Sequence, residues 1–74
     1  MSKNTVWLHY KGNKYIILNI FDNLVCYADL QEWKGFSKDK KAVGNQLQVW
    51  LRNKNQWLDI IDNNKLRFNL IEAL

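Results

Sequence analysis

The chain has few of the residues that usually build covalent, metal or catalytic sites. Among its 74 residues there is no proline, and there is one cysteine, one histidine and three glycines. With Cys26 alone, a disulfide within the chain is excluded, and a zinc site built from Cys and His is not supported. The thiol lies in the apolar run Leu24 to Tyr27, which favours a buried, inert side chain in a reducing compartment. We therefore expect an intracellular protein.

Long hydrophobic runs are also missing. The longest apolar run, Tyr15 to Leu18, is too short to cross a bilayer, and no apolar segment of signal-peptide length follows the N-terminus. No linker rich in proline, serine or glycine divides the sequence. These absences predict one small domain over residues 1–74, with no membrane partner.

Side chains suited to catalysis are few, and a structural role explains each of them. His9 fits a strand residue at the surface or in a satisfied hydrogen bond, and Asp59 and Asp62 fit a solvated face near a helix end. Asp29 and Glu32 are spaced as a capping box. No glycine-rich phosphate loop and no cluster of metal ligands is present. The sequence thus predicts a non-enzymatic protein without cofactor or metal.

Positive charge is concentrated in one segment. The net charge is +4, but residues 34–54 carry six cations against Asp39, a local balance of +5, while the rest of the chain balances at −1. Such a segment is either a solvated helix face or a surface that binds anions. Charge alone favours neither interpretation over the other.

The N-terminal third predicts a small β-meander. Residues Thr5 to Tyr10 and Tyr15 to Phe21 are rich in β-branched and aromatic residues, and Lys11 to Asn13 is a turn between them. Asp22 and Asn23 form a second turn before a third short strand, Leu24 to Tyr27.

The middle of the chain predicts helices. Asp29 is a good N-cap for a short helix, Leu30 to Lys34, with Gly35 as its C′ residue. Ser37 or Asp39 then caps a second helix that runs to about Asn53, because the apolar residues from Val43 to Ile61 follow a helical period.

The end of the chain changes character twice. A polar break at Arg52 to Asn55 precedes a final helix, Gln56 to Ile61, in which the apolar stripe continues; Trp50 and Leu51 lie on that stripe and are expected in the core. Residues Lys65 to Ile71 alternate in polarity and predict a closing strand.

These elements predict an α+β fold in which a β-meander precedes helix-turn-helix-like helices and a closing C-terminal strand, as in a winged variant. An alternative stays open. Residues 46–52 also alternate as a strand would, and the whole chain then fits a small SH3-like β-barrel.

In the helix-turn-helix interpretation, the second helix enters the major groove of double-stranded DNA. Amides and arginine suit base edges, and lysines suit phosphates. The predicted base-reading residues are Asn45, Gln48, Arg52 and Asn55, and the predicted phosphate-binding residues are Lys38, Lys40, Lys41 and Lys54.

Two segments carry a resemblance to a known family. Leu24 to Lys34, LVCYADLQEWK, and the run WLRNKN at Trp50 to Asn55 are similar to the N-terminal part of the KilA-N domain, a DNA-binding module of phages and large DNA viruses. Asn63-Asn64, Phe68 and Glu72 match its later positions, while two prolines and the later half of that domain are missing here. The resemblance implies a DNA-binding regulator of phage or viral origin, acting in the cytoplasm or nucleoid of a host cell.

A second hypothesis belongs to another class. The chain could be a protein-interaction module, an inhibitor or adaptor that has lost DNA binding and uses Trp7, Trp33 or Phe36 as exposed anchors. A homodimer is compatible with both hypotheses.

Overall fold

The computed structural model of the chain describes residues 1–38, 47–62 and 65–74. Strands dominate these residues, and the two helices are short. The elements, in chain order, are β1 (Thr5–His9), β2 (Lys14–Phe21), β3 (Leu24–Asp29), α1 (Leu30–Lys38), β4 (Trp50–Asn53), α2 (Lys54–Trp57), β5 (Ile60–Asp62), β6 (Lys65–Leu66) and β7 (Phe68–Ala73).

Five strands form one antiparallel sheet in the order β4-β3-β2-β1-β7, and β5 pairs with β6 in a separate hairpin. The chain is thus a small α+β domain made mostly of strands, which confirms the coarse fold class. A helix-turn-helix is not seen in the described residues.

The predicted β-meander is confirmed as β1, β2 and β3. The first turn depends on Gly12, whose φ of +104° is in the region that favours glycine. His9 closes this turn, because its backbone N–H donates to Asn13 O at 2.8 Å and its carbonyl accepts from Gly12 N at 2.8 Å. Asp22 adopts a φ of +50° in the second turn, which aspartate tolerates better than most residues.

A bulge in β2 allows its apolar residues to serve both faces of the sheet. Ile17 pairs with Tyr27, but Asn19 already pairs with Cys26, so Leu18 is the extra residue. As a result, Ile17 and Ile20 both pack on the first core described below, and Leu18 packs on the second.

The first core is aromatic. Trp57 from α2 is fully buried and stacks on Phe68 from β7, with ring centroids 3.7 Å apart and planes 5° from parallel. Trp7 meets Trp57 edge-on at 5.8 Å, and the Tyr27 ring lies 4.9 Å from Trp57. The buried members of this core are Trp7, Ile17, Val25, Tyr27, Trp57 and Phe68.

The second core lies between the other face of the sheet and α1. Its buried residues are Val6, Ile16, Ala28 and Leu30. Asp29 caps the helix as predicted, because its Oδ1 accepts a hydrogen bond from Glu32 N at 3.0 Å. The predicted end of this helix at Gly35 is wrong. Trp33 packs on the second core, and the helix continues to Lys38.

The predicted second helix, up to Asn53, is wrong over residues 47–53, since residues 47–49 form neither helix nor strand, and its predicted cap Ser37 lies within α1. Trp50–Asn53 form β4, which pairs with β3 from Leu24 to Tyr27. Trp50 faces the first core, while Leu51 is 60% exposed and is not a core residue. The unpaired edge of β3 supplies backbone hydrogen bonds that outweigh a local helical period. Residues 39–46 lie outside the described residues.

The end of the chain is confirmed in part. The predicted helix Gln56 to Ile61 is instead the four-residue α2 followed by β5. The predicted closing strand is present as β6 and β7. Asn63-Asn64 also lie outside the described residues.

The five-stranded sheet is curled. The edge strands β4 and β7 are four strand spacings apart, about 19 Å in a flat sheet. Yet the guanidinium carbon of Arg52 in β4 lies 5.8 Å from the centre of the Phe68 ring in β7. The sheet therefore bends around the first core until side chains of its two edges meet.

Replacement of Trp57 tests how far the fold depends on the first core. We expect Trp57→Ala to lower the free energy of unfolding by about 3–5 kcal/mol, because it leaves a cavity under Phe68. Leu58→Ala, at the exposed neighbouring position, should change it by about 0.5 kcal/mol or less. Urea unfolding followed by circular dichroism measures both, and equal losses would contradict the assigned core.

Candidate functional site

Cations and aromatic rings lie together at one part of the curled sheet. We call this set the cation–aromatic surface. Ring contacts, cation–ring contacts and charge interactions link its members into one continuous group. They are His9, Tyr10, Lys11, Tyr15, Trp50, Arg52, Lys65 and Arg67.

Strand pairing brings the members of this surface together from distant parts of the sequence. His9 ends β1 and pairs with Phe68 at the start of β7, so the residues flanking these two positions become neighbours. Tyr10 N donates to Arg67 O at 3.0 Å, which fixes the two flanking segments side by side. The His9 ring then lies 4.4 Å from Tyr10 and 6.1 Å from Tyr15.

Tyr10 stands between two lysines. The Nζ atom of Lys11 lies 5.8 Å from the centre of its ring, and that of Lys65 lies 5.7 Å away. Both distances are within cation–π range. Because both lysines are exposed and the ring is half-buried, an anionic ligand can reach the ammonium groups and the ring together.

The Arg52 side chain is oriented by a hydrogen bond from its Nε atom. Its Nε donates to Tyr27 Oη at 3.4 Å, and its guanidinium lies over the Phe68 ring. Within residues 1–38, 47–62 and 65–74, no carboxylate forms an ion pair with it. The terminal amino groups of the guanidinium are therefore placed for a ligand, with the planar geometry that suits phosphate.

Arg67 has a partly structural role. Its Nη2 lies 3.4 Å from Asp59 Oδ2, and its backbone N–H donates to Asp59 O at 3.0 Å. Its buried Nε has no hydrogen-bond partner among the described residues. Asp59 offsets part of the Arg67 charge, and Asp62 stands opposite Lys65 in the β5–β6 hairpin.

His9 reports the electrostatics of the surface. Burial lowers the pKa of its imidazole below the ordinary value of 6.5, and the positive charges of Arg52, Arg67 and Lys11 lower the pKa further. His9 is therefore neutral near pH 7, in surroundings that disfavour another positive charge and favour an anion.

The residues predicted to bind DNA that the structure describes lie on several elements. Among the described ones, only Arg52 belongs to the cation–aromatic surface. Lys38 is the exposed last residue of α1, and Gln48 is exposed in the segment before β4. Lys54 and Asn55 begin α2, where Lys54 N donates to Asn23 O at 2.6 Å and Asn55 N donates to Asn53 Oδ1 at 2.8 Å. Lys40, Lys41 and Asn45 lie outside the described residues.

Sequence reasoning missed most of the cation–aromatic surface. The pattern HYKGNKY from His9 to Tyr15 alternates rings and cations around a turn, and KLRF from Lys65 to Phe68 repeats that chemistry. Either could have drawn attention as a candidate for stacking and phosphate binding. Their proximity depends on the pairing of the first strand with the last, which no local pattern gives.

The aromatic residues expected to be exposed for protein binding are buried or half-buried. Trp7 is buried, and its Nε1 donates to Thr5 Oγ1 at 2.8 Å, so its expected exposure is wrong. Trp33 and Phe36 are half-buried on α1. Several aliphatic side chains are more exposed than these rings, among them Leu51, Leu58, Ile60 and Leu70.

Among the described residues, no group of three or more His, Cys, Asp or Glu side chains is arranged to hold a metal ion. None of their helices has the length and apolar character needed to cross a membrane. No protein-family model, no curated protein and no solved structure matches the chain.

The pKa of His9 tests the electrostatics of the surface directly. His9 is the only histidine, so its ring proton resonances can be followed by NMR without ambiguity. We expect a midpoint below 6.5, and a lower free energy of unfolding as the pH falls through 6.5, because the unfolded chain takes up the proton first. His9→Gln should remove that part of the pH dependence. A midpoint at or above 6.5 would contradict the described surroundings.

Proposed function

We propose that this domain binds nucleic acid through the cation–aromatic surface. The observation that carries the proposal is the contact between exposed cations and a half-buried ring, as at Tyr10 with Lys11 and Lys65. Arg52, without an ion pair in the described part of the chain, adds a planar donor for phosphate.

The chemistry of the surface suits a polyanion that also carries flat bases. Lysine and arginine neutralise phosphates and release counterions, which supplies affinity without regard to sequence. Aromatic rings stack with unpaired bases for about 1–3 kcal/mol per base. A small acidic metabolite would bind to the cations but would gain little binding energy from the aromatic rings.

Single-stranded DNA or RNA fits this surface better than duplex DNA. A duplex keeps its base faces stacked on one another, so the rings would have nothing to stack on. The duplex predicted from sequence needs an element that enters the major groove. In the described residues the helices are nine and four residues long, and Arg52 is on a strand.

The family resemblance adds a biological setting to the proposal. If the chain is a relative of the KilA-N domain, it acts as a non-enzymatic regulator of a phage or virus inside a host cell. The matching run WLRNKN occupies β4 and the start of α2 here. The strand order, with a one-turn helix after β4, supports the SH3-like alternative more than a winged helix-turn-helix.

Binding to labelled oligonucleotides at two salt concentrations tests the proposal. Fluorescence anisotropy should show affinity for single-stranded DNA or RNA. If about four phosphates are neutralised, the affinity should fall roughly 50-fold between about 50 mM and about 200 mM salt. Affinity that does not change with salt, or none for any oligonucleotide at low salt, would refute it.

Matched variants locate the surface. Lys11→Ala with Lys65→Ala should reduce the slope of log affinity against log salt by about 1.4, because two phosphate contacts are lost. Lys3→Ala with Lys34→Ala removes the same charge at exposed positions outside the surface and should leave the slope nearly unchanged. Lys40→Ala with Lys41→Ala tests the segment that the sequence favoured. If only this last pair weakens binding, the site lies there instead.

The rings are tested separately from the charges. Tyr10→Ala should weaken binding of single strands by about 1–3 kcal/mol, whereas Tyr10→Phe keeps the ring and should bind nearly as well as the wild type. A duplex of the same sequence should respond little to either change. Equal effects of both substitutions would argue against stacking.

The protein-interaction module remains a second candidate. Trp7 no longer supports it, but the exposed aliphatic side chains on β4 and β7 do. A domain that binds only a protein partner through these side chains would show no salt-dependent affinity for oligonucleotides, and this outcome separates the two candidates.

A further inference from the structure

Exposed apolar side chains lie in adjacent pairs on three neighbouring strands. Phe21 in β2 pairs with Leu24 in β3, and Cys26 in β3 pairs with Leu51 in β4. Leu24 and Cys26 are two residues apart and therefore share a face of the sheet. This is the face that α1 covers elsewhere. Phe21, Leu24 and Leu51 are nonetheless all exposed, with Leu51 at 60%.

The patch adjoins the outer edge of β4, which no strand of the described residues pairs with. Lys54 N donates to Asn23 O at 2.6 Å, which makes these residues a directly opposed, hydrogen-bonded pair. Hydrogen-bonded pairs alternate along an antiparallel ladder. With the observed register, Arg52 and Trp50 turn their backbone groups toward β3, and Leu51 and Asn53 turn theirs to the open edge.

We propose that a second copy of this chain docks on this edge, with β4 of the two subunits antiparallel about a two-fold axis at Leu51. In that register Leu51 stands directly opposite Leu51 of the partner subunit, and the two residues form a hydrogen-bonded pair. The outward N–H and C=O groups of Leu51 are then both satisfied. The two curled sheets then join through a single ladder, and the partner's Leu51, Leu24 and Phe21 extend the apolar patch across the axis.

The strand is complementary to itself in this register. Arg52 stands opposite Trp50 of the partner subunit on the other face, a cross-strand cation–ring pair that occurs twice. Asn53 stands opposite Val49 of the partner subunit. A register centred on Arg52 would instead oppose two arginines, which like-charge repulsion disfavours. Charge thus selects the register that also buries Leu51.

The other open edge is less suited to pairing. β7 exposes Leu70 at 57%, but its register with β1 shifts between Val6 and Trp7. Such a bulge twists an edge and interrupts regular pairing. β4 pairs with β3 over four consecutive residues without a shift, so its edge is straight enough to receive another strand. This inference does not depend on nucleic-acid binding.

Sedimentation equilibrium of the full chain tests the dimer. A small interface of this kind predicts self-association in the micromolar range, so the mass should rise from 8.9 kDa toward twice that value between about 1 and about 500 µM. Leu51→Lys should hold the mass at 8.9 kDa throughout, and Leu70→Lys, the matched change on the β7 edge, should leave the association unchanged. A wild-type chain that stays monomeric over this range overturns the proposal. So does loss of the dimer with Leu70→Lys alone.

An engineered disulfide between the two subunits tests the register of the dimer. This test does not require the Leu51→Lys variant to fold. In a Cys26→Ser background, Leu51→Cys should form a cross-linked dimer under mild oxidation, because paired α-carbons about 5.5 Å apart are within disulfide range. Leu70→Cys in the same background should stay uncross-linked. Cross-linking at position 70 and not at position 51 would overturn the proposed axis.

Discussion

The stacking of Trp57 on Phe68 is the interaction on which the rest of the structure depends. Trp57 comes from a helix of one turn, which could not hold its place alone, and Phe68 begins the last strand, which β1 holds by pairing. Their parallel contact also provides the ring over which Arg52 lies, and Phe68 makes an edge contact with His9. The same pair therefore closes the sheet and positions the charged side chains above it.

Local patterns predicted the parts of the fold whose partners are near in sequence. The three N-terminal strands, their turns and the Asp29 cap all follow from residues within a few positions of one another. The segment from Trp50 to Trp57 was mispredicted, because its apolar residues satisfy a helical and a strand period at once. The open edge of β3, twenty-five residues away, decided between them. The alternation of Trp50 and Arg52 against Leu51 and Asn53 was the correct local evidence.

The candidate site was less predictable than the fold for the same reason. Among the proposed residues that the structure describes, Arg52 alone lies with His9, Tyr10 and Lys65, and it does so on a strand. Net charge pointed to residues 34–54, where lysines are dense, whereas contact with rings depends on which strand ends meet. The density of charge along the sequence differs from the density of charge on the folded surface. In so small a domain, strand pairing determines where charges lie on the surface.

The pairing of the first strand with the last has a consequence for how the domain forms. Thr5 to His9 pair with β2 early, but their second partner is Phe68 to Ala73, and the aromatic core lacks Phe68 until that strand is in place. Contacts this distant along the chain make folding slow to start, because the whole loop must close first. Until Phe68 to Ala73 are in place, β1 keeps one edge unpaired. The aromatic core and the cation–aromatic surface are therefore completed together, in the step that pairs β7 with β1.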